Sequence, residues 1–119
     1  MDSGYVQPRK FIIVEGRKDK ERLLQILDEP VEIICTYGTL SEEKIERLII
    51  PLQYEEVYIL VDADDAGNKL RTQLKRELPH AKHLYTRKMY RQVQSTPLEY
   101  LAEVLMNAHF EINEDLFFG

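Results

Sequence analysis

Three carboxylates crowd into four positions, Asp62, Asp64 and Asp65, directly after a run of apolar and β-branched residues from Val57 to Val61. Asp62 and Asp64, one residue apart, repel each other unless a positive charge lies between them. Mg²⁺ is the natural counter-charge, because it takes hard oxygen ligands and often binds through one or two carboxylates plus phosphate oxygens. The same residues also suit a plain turn and helix start, since Asp favours caps and carboxylates are stabilised at a helix N-terminus. A second stretch bears on that choice. Lys10-Phe-Ile-Ile-Val runs into Glu15 and Gly16, with Asp19 one turn further on. Two separate apolar runs that both end in acids are harder to explain as turn chemistry, and they favour an acidic metal-binding site formed by Glu15, Asp62 and Asp64.

Such a site needs elements that bring the two stretches together. A short apolar run bounded by acids and glycine reads as a buried strand entering a turn and helix. That pattern occurs at 10–14, followed by a helical segment from Arg17 to Leu27, and again at 57–61, followed by a helical segment from Asn68 to Leu78. Between them, Val31 to Thr36 is a β-type run and Tyr37-Gly38-Thr39 a turn. Ser41 is the expected N-cap of a helix whose apolar positions are Ile45, Leu48 and Ile49, closed by Pro51. His83 to Tyr85 is a weaker strand, 86–95 a loop, and Thr96-Pro97-Leu98-Glu99 a capping box opening a helix over about 96–107. The tail from Asn113 is expected to be loose or partner-dependent. The alternation predicts an α/β fold, a four-stranded parallel sheet in the order 2-1-3-4 flanked by helices. Strands 1 and 3 are then neighbours, and Glu15 converges with Asp62 and Asp64 at their carboxyl ends, where sheets of this kind bind ligands.

The chain has 119 residues, the length of one domain, with 44% hydrophobic and 31% charged residues, an ordinary soluble composition. No apolar run reaches membrane-span length, the polar N-terminal stretch does not read as a signal peptide, and no membrane association is expected. Cys35 is the one cysteine and reads as a buried thiol; without a second there is no internal disulfide, and a cytoplasmic home is the simplest. The formal net charge of −5 argues against overall attraction to nucleic acid, but it averages over a division. Lys69, Arg71, Lys75, Arg76, Lys82, Arg87, Lys88 and Arg91 are eight of the 16 basic residues, against one acid, Glu77, in the same segment. A segment of this kind serves either as a phosphate-binding face or as a solvated helix face with a basic loop.

Val14-Glu15-Gly16 with Asp19, then Gly38-Thr39, then Asp62-x-Asp64-x-x-Gly67 resembles the Toprim domain. That domain is shared by primases, type IA and type II topoisomerases, OLD-family nucleases and ribosomal-RNA maturation ribonucleases. The resemblance covers roughly residues 10–88 and implies a Rossmann-like Toprim fold, with Gly16, Gly38 and Gly67 as turn glycines. It implies Glu15 as the family's glutamate and Asp62 and Asp64 as its paired Mg²⁺-binding aspartates. Departures narrow the function. Type IA topoisomerases carry a third acid where this chain has Ala66, and no part of the chain supplies their strand-cleaving tyrosine, so neither Tyr58 nor Tyr85 takes that role. Primases carry further acids where this chain has Thr86-Arg87-Lys88, and that basic loop is more like the maturation ribonucleases.

The expected function is Mg²⁺-dependent phosphodiester chemistry on nucleic acid, with structured RNA favoured over DNA and Mn²⁺ as an alternative ion. Glu15 is the candidate proton carrier and a candidate metal ligand. Asp19 either orients it or is a plain surface acid. Lys69, Arg71, Arg87, Lys88 and Arg91 are candidate phosphate contacts, and Tyr85 and Tyr90 either stack on bases or pack. The alternative is a non-catalytic module that binds Mg²⁺ and nucleic acid, or docks on a larger protein partner through Leu116-Phe117-Phe118. A phosphate-accepting receiver domain is disfavoured, because its paired acids would follow the first strand, where only Glu15 stands.

Overall fold

β1 (Lys10–Val14), β2 (Val31–Cys35), β3 (Glu56–Leu60) and β4 (Lys82–Leu84) form one sheet in the order β2-β1-β3-β4, with every pairing parallel. The computed structural model describes residues 10–117; the side chain of Lys88 and the proposed docking residue Phe118 lie outside the described part. The register between β1 and β3 sets Lys10 opposite Glu56 and Ile13 opposite Ile59. Continuing it places Glu15 and Asp62 at the same edge.

Alternation along the strands sorts the core into two faces. Ile12, Val14, Ile33, Tyr58 and Leu60 pack on one face against Leu23 and Ile26 of α1 (Arg17–Ile26) and Leu101, Ala102 and Leu105 of α4 (Leu98–Asn107). Ile13, Val57, Ile59 and Val61 pack on the other against Leu70 and Leu74 of α3 (Asp65–Glu77) and against Ile49 and Leu52. Helices on both faces explain why Val57 to Val61 are all buried.

Several boundaries differ from the sequence expectation for local reasons. Ser41 does cap its helix, its Oγ accepting from the Lys44 N–H at 3.2 Å. The helix, α2 (Glu42–Lys44), soon widens into a π turn (Ile45–Ile49) and then tightens into a 3₁₀ turn (Ile50–Leu52). Pro51 has no N–H to continue the α ladder and its ring opposes the carbonyl four residues back, so the chain changes winding around it rather than stopping before it. The Thr96 capping box does not form: its Oγ1 donates to the Gln92 carbonyl at 3.0 Å and the helix starts at Leu98. β4 is offset by one residue, ending at Leu84. The 86–95 loop carries two 3₁₀ turns and a fully buried Val93. Beyond α4 the chain is tied down, with Ile112 bridging Leu27 and the Asn113 N–H donating to the Ile26 carbonyl at 2.8 Å. Among the described residues no helix is long and apolar enough to cross a membrane.

Candidate functional site

The carboxyl ends of β1 and β3 are held together by the acids themselves. The backbone N–H of Asp62 donates to Glu15 Oε1 at 2.6 Å, fixing the glutamate across the strand boundary. Asp62 Oδ1 in turn accepts from the Val93 N–H at 2.8 Å, while the Ala63 N–H donates to the Arg91 carbonyl at 2.6 Å. The basic loop is therefore anchored on the acidic strand end. Asp64 Oδ1 accepts from the Gly67 N–H at 2.7 Å and caps α3. The turn reading of these acids is thus correct for Asp64. Gly67 is required by the same turn: a Cβ there would lie 1.9 Å from the Asp62 carbonyl oxygen. Gly38 adopts φ +103°, whereas Gly16 has an extended backbone open to any residue.

Asp19 is only 7% exposed, which excludes the surface-acid reading. Its Oδ2 accepts from the Gly16 N–H at 3.0 Å at the start of α1. Glu15, Asp19 and Asp62 line one cleft of about 490 Å³, together with Arg17, Lys18, Tyr37 and Gln94. Glu15 also borders a second cleft of about 880 Å³ between the Gly38-Thr39 turn and α3, where Lys69 lies.

Burial and like charge raise the pKa of each of these three acids from its ordinary value. For Glu15 burial is the main cause; the charges of Asp62, Asp64 and Asp19 add to it, and the Asp62 N–H works against it. For Asp62 burial leads, the Val93 N–H opposes it and Asp64 adds. Asp19 is raised by burial and by Asp62, opposed by the Gly16 N–H and by Arg22.

Among the described residues no group of three or more His, Cys, Asp and Glu side chains is arranged to hold a metal ion by itself. Glu15, Asp62 and Asp64 all lie at this edge without forming such a group. Each carboxylate commits one oxygen to a different backbone N–H, and Asp64 is turned to its own helix. The donor chemistry nevertheless fits a hard divalent cation. Each acid keeps one oxygen without a hydrogen bond among the described residues, and Mg²⁺ commonly asks for one or two carboxylates, completing its shell with water and phosphate.

The candidate phosphate contacts fare unequally. Arg71 is not one of them: at 6% exposure its guanidinium donates to the Val61 and Leu84 carbonyls, at 3.3 and 2.7 Å, and pairs with His83 Nδ1 at 3.0 Å. It ties the ends of β3 and β4 together and lies under the Tyr85 ring, 4.1 Å from its centroid. Lys69, Arg87 and Arg91 are exposed, with Arg87 4.5 Å from the centroid of the Tyr100 ring. Tyr90 packs on Tyr100 at 5.6 Å between centroids.

A family model for the Toprim domain matches residues 10–91. The chain belongs to the Toprim family. Among Toprim proteins it resembles the small TOPRIM domain protein of Bacillus stearothermophilus, with 46% identity and a TM-score of 0.87 over 96% of this chain and 98% of the other. The uncharacterized protein YusF of Bacillus subtilis is 46% identical over 87% of this chain and 71% of its own length. Ribonuclease M5 of Listeria monocytogenes is 33% identical over 70% of this chain, but the match spans only 43% of that enzyme.

Sequence reasoning missed Tyr37, Gln94 and the Val93 N–H as parts of this Toprim edge. No apolar period marks the 86–95 loop, and a backbone donor carries no side-chain signature.

Proposed function

We propose that the Glu15–Asp62 edge carries out divalent-metal-dependent phosphodiester chemistry on nucleic acid, with structured RNA the favoured substrate. The observation that carries this reading is the 2.6 Å hydrogen bond from the Asp62 N–H to Glu15, which holds a half-buried glutamate of raised pKa against a second half-buried acid in an open cleft. The similarity to ribonuclease M5 supports RNA as the substrate class. Glu15 and Asp62, with Asp64 close by, would hold Mg²⁺ or Mn²⁺, which when bound supplies polarisation of a phosphoryl oxygen and offsets developing negative charge. Glu15, with Oε1 pinned, presents Oε2 to exchange a proton with the attacking or leaving oxygen, and burial, which raises its pKa, moves it in the direction that task needs. Asp62 is oriented by the Val93 N–H. Asp19 holds the Gly16 turn from which Glu15 projects. Lys69, Arg87, Lys88 and Arg91 would steer the phosphate backbone.

A second reading is a non-catalytic nucleic-acid-binding module or accessory subunit. The formal net charge of −5 favours it. Incubation with structured RNA and with single-stranded DNA, under Mg²⁺, Mn²⁺ or chelator, separates the two. The nuclease reading expects metal-dependent cleavage that falls by roughly 10²-fold or more in Glu15→Gln while binding holds or tightens. Binding without cleavage by the parent protein supports the module, and undiminished cleavage in Glu15→Gln removes the proton-transfer role.

A further inference from the structure

Tyr37 stands at the mouth of the carboxylate cleft in a backbone conformation that its side chain disfavours. Its φ is +52°, in the left-handed region that costs a bulky non-glycine residue free energy, and its neighbour Gly38 is also at positive φ. Strain of this kind persists only where the surroundings over-determine it, and here they do. The Tyr37 N–H donates to the Glu15 carbonyl at 2.8 Å. From the other side, Lys44 Nζ donates to the carbonyls of Thr36 at 2.8 Å, Tyr37 at 3.2 Å and Thr39 at 3.4 Å. One lysine thus clamps the whole turn. The residue held this way is not packed into the core: Tyr37 is 66% exposed and lines the same cleft as Glu15, Asp19 and Asp62. Arg17 and Lys18 line that cleft as well, supplying cations within it.

An exposed aromatic residue on a clamped turn, beside an acidic site and two cations, matches what a single-stranded polynucleotide asks for. A stacked base needs a π-face of any sequence, and its flanking phosphate needs a positive group. We infer that Tyr37 is a positioning residue that stacks an unpaired nucleobase at the carboxylate cleft, with Arg17 and Lys18 taking the adjoining phosphate. The inference rests on the proposed action on nucleic acid, and it deepens that reading by specifying a single-stranded segment at the reacting position.

The test is binding of a fluorescein-labelled hairpin RNA with a single-stranded extension, and of the blunt hairpin, to the full chain in chelator, where cleavage plays no part. Three proteins are compared: the parent, Tyr37→Phe and Tyr37→Asn. Asn tolerates positive φ, so it removes the ring while relieving the strain. The parent should prefer the extended hairpin. Tyr37→Phe should bind it within about twofold of the parent, and Tyr37→Asn about tenfold more weakly, the scale of one lost base–aromatic stack. Binding of the blunt hairpin should be the same in all three, and Tyr37→Asn should melt no lower than the parent. Equal affinity of Tyr37→Asn and parent for the extended hairpin overturns the inference, as does a lower melting temperature with affinity intact, since that is a purely structural role. Stacking in a protein that cleaves nothing leaves the inference standing while the nuclease reading fails. A parent that binds neither RNA overturns both.

Discussion

Arg71 and His83 show how a residue that looks like a ligand contact can serve the frame instead. His83 Nδ1 faces the Arg71 guanidinium at 3.0 Å, which requires the imidazole to be neutral there. Burial, then the charges of Arg71 and Lys75, accordingly hold its pKa below the ordinary 6.5. The unfolded chain binds a proton at His83 near pH 6.5 and the folded chain does so only further down, so folding opposes protonation. This contribution to stability is complete above about pH 6.5 and is lost as the pH falls through the depressed folded value. The acids Glu15, Asp19 and Asp62 act in the opposite sense: their raised values mean that the fold gains as pH falls toward them. Denaturant midpoints of the parent and of His83→Gln, measured in chelator from pH 8 to 5, should therefore diverge at the alkaline end and converge toward the acid end. A constant difference across the range would show that His83 does not titrate against Arg71.

At the scale of elements, β3 is the member that carries both the core and the site. Leu60 is fully buried on the α1–α4 face and Ile59 on the α3 face, and Asp62 follows two residues after Leu60. Replacing Leu60 by Ala should cost about 2–5 kcal/mol in a denaturant titration; a cost near zero would mean that β3 is not the central packed strand. The α3 turn is equally exacting. Gly67→Ala would raise helix propensity, yet the new Cβ would collide with the Asp62 carbonyl, and overpacking of this kind costs about 1–3 kcal/mol. A stabilised Gly67→Ala protein would show that the turn yields freely. The strands were legible because apolar runs ending in acids state both burial and termination. The winding of α2 was not, because the response to Pro51 depends on the packing of Ile49 and Leu52 beneath the sheet. The failed capping box at Thr96 has a similar origin: its hydroxyl had a nearer acceptor, Gln92, supplied by a turn that no periodicity announces.

Across the whole molecule, the parallel order β2-β1-β3-β4 brings the two acid-terminated strands side by side at the point where the chain reverses direction across the sheet. The convergence of Glu15 with Asp62 was readable from strand order alone. The division of labour among the acids was not, because each depends on a backbone donor: Asp62 on Val93, Asp64 on Gly67, Asp19 on Gly16. Nor could the sequence distinguish Arg71, enclosed between two strand ends, from the exposed Lys69, Arg87 and Arg91. What remains is a cluster of like charges held together by the fold at a cost in electrostatic free energy. A divalent cation should relieve that cost, and ligands that bind only the folded state raise its stability. The measurement is the melting temperature of the parent and of the Asp62→Asn/Asp64→Asn protein, with Mg²⁺ or Mn²⁺ and with chelator. Asn at position 64 retains the cap on Gly67, so the substitution removes charge without removing the helix start. In chelator the double variant should be as stable as the parent or more so. Metal should raise the melting temperature of the parent and leave the variant unmoved, whereas an equal rise in both proteins would contradict a metal site at this edge.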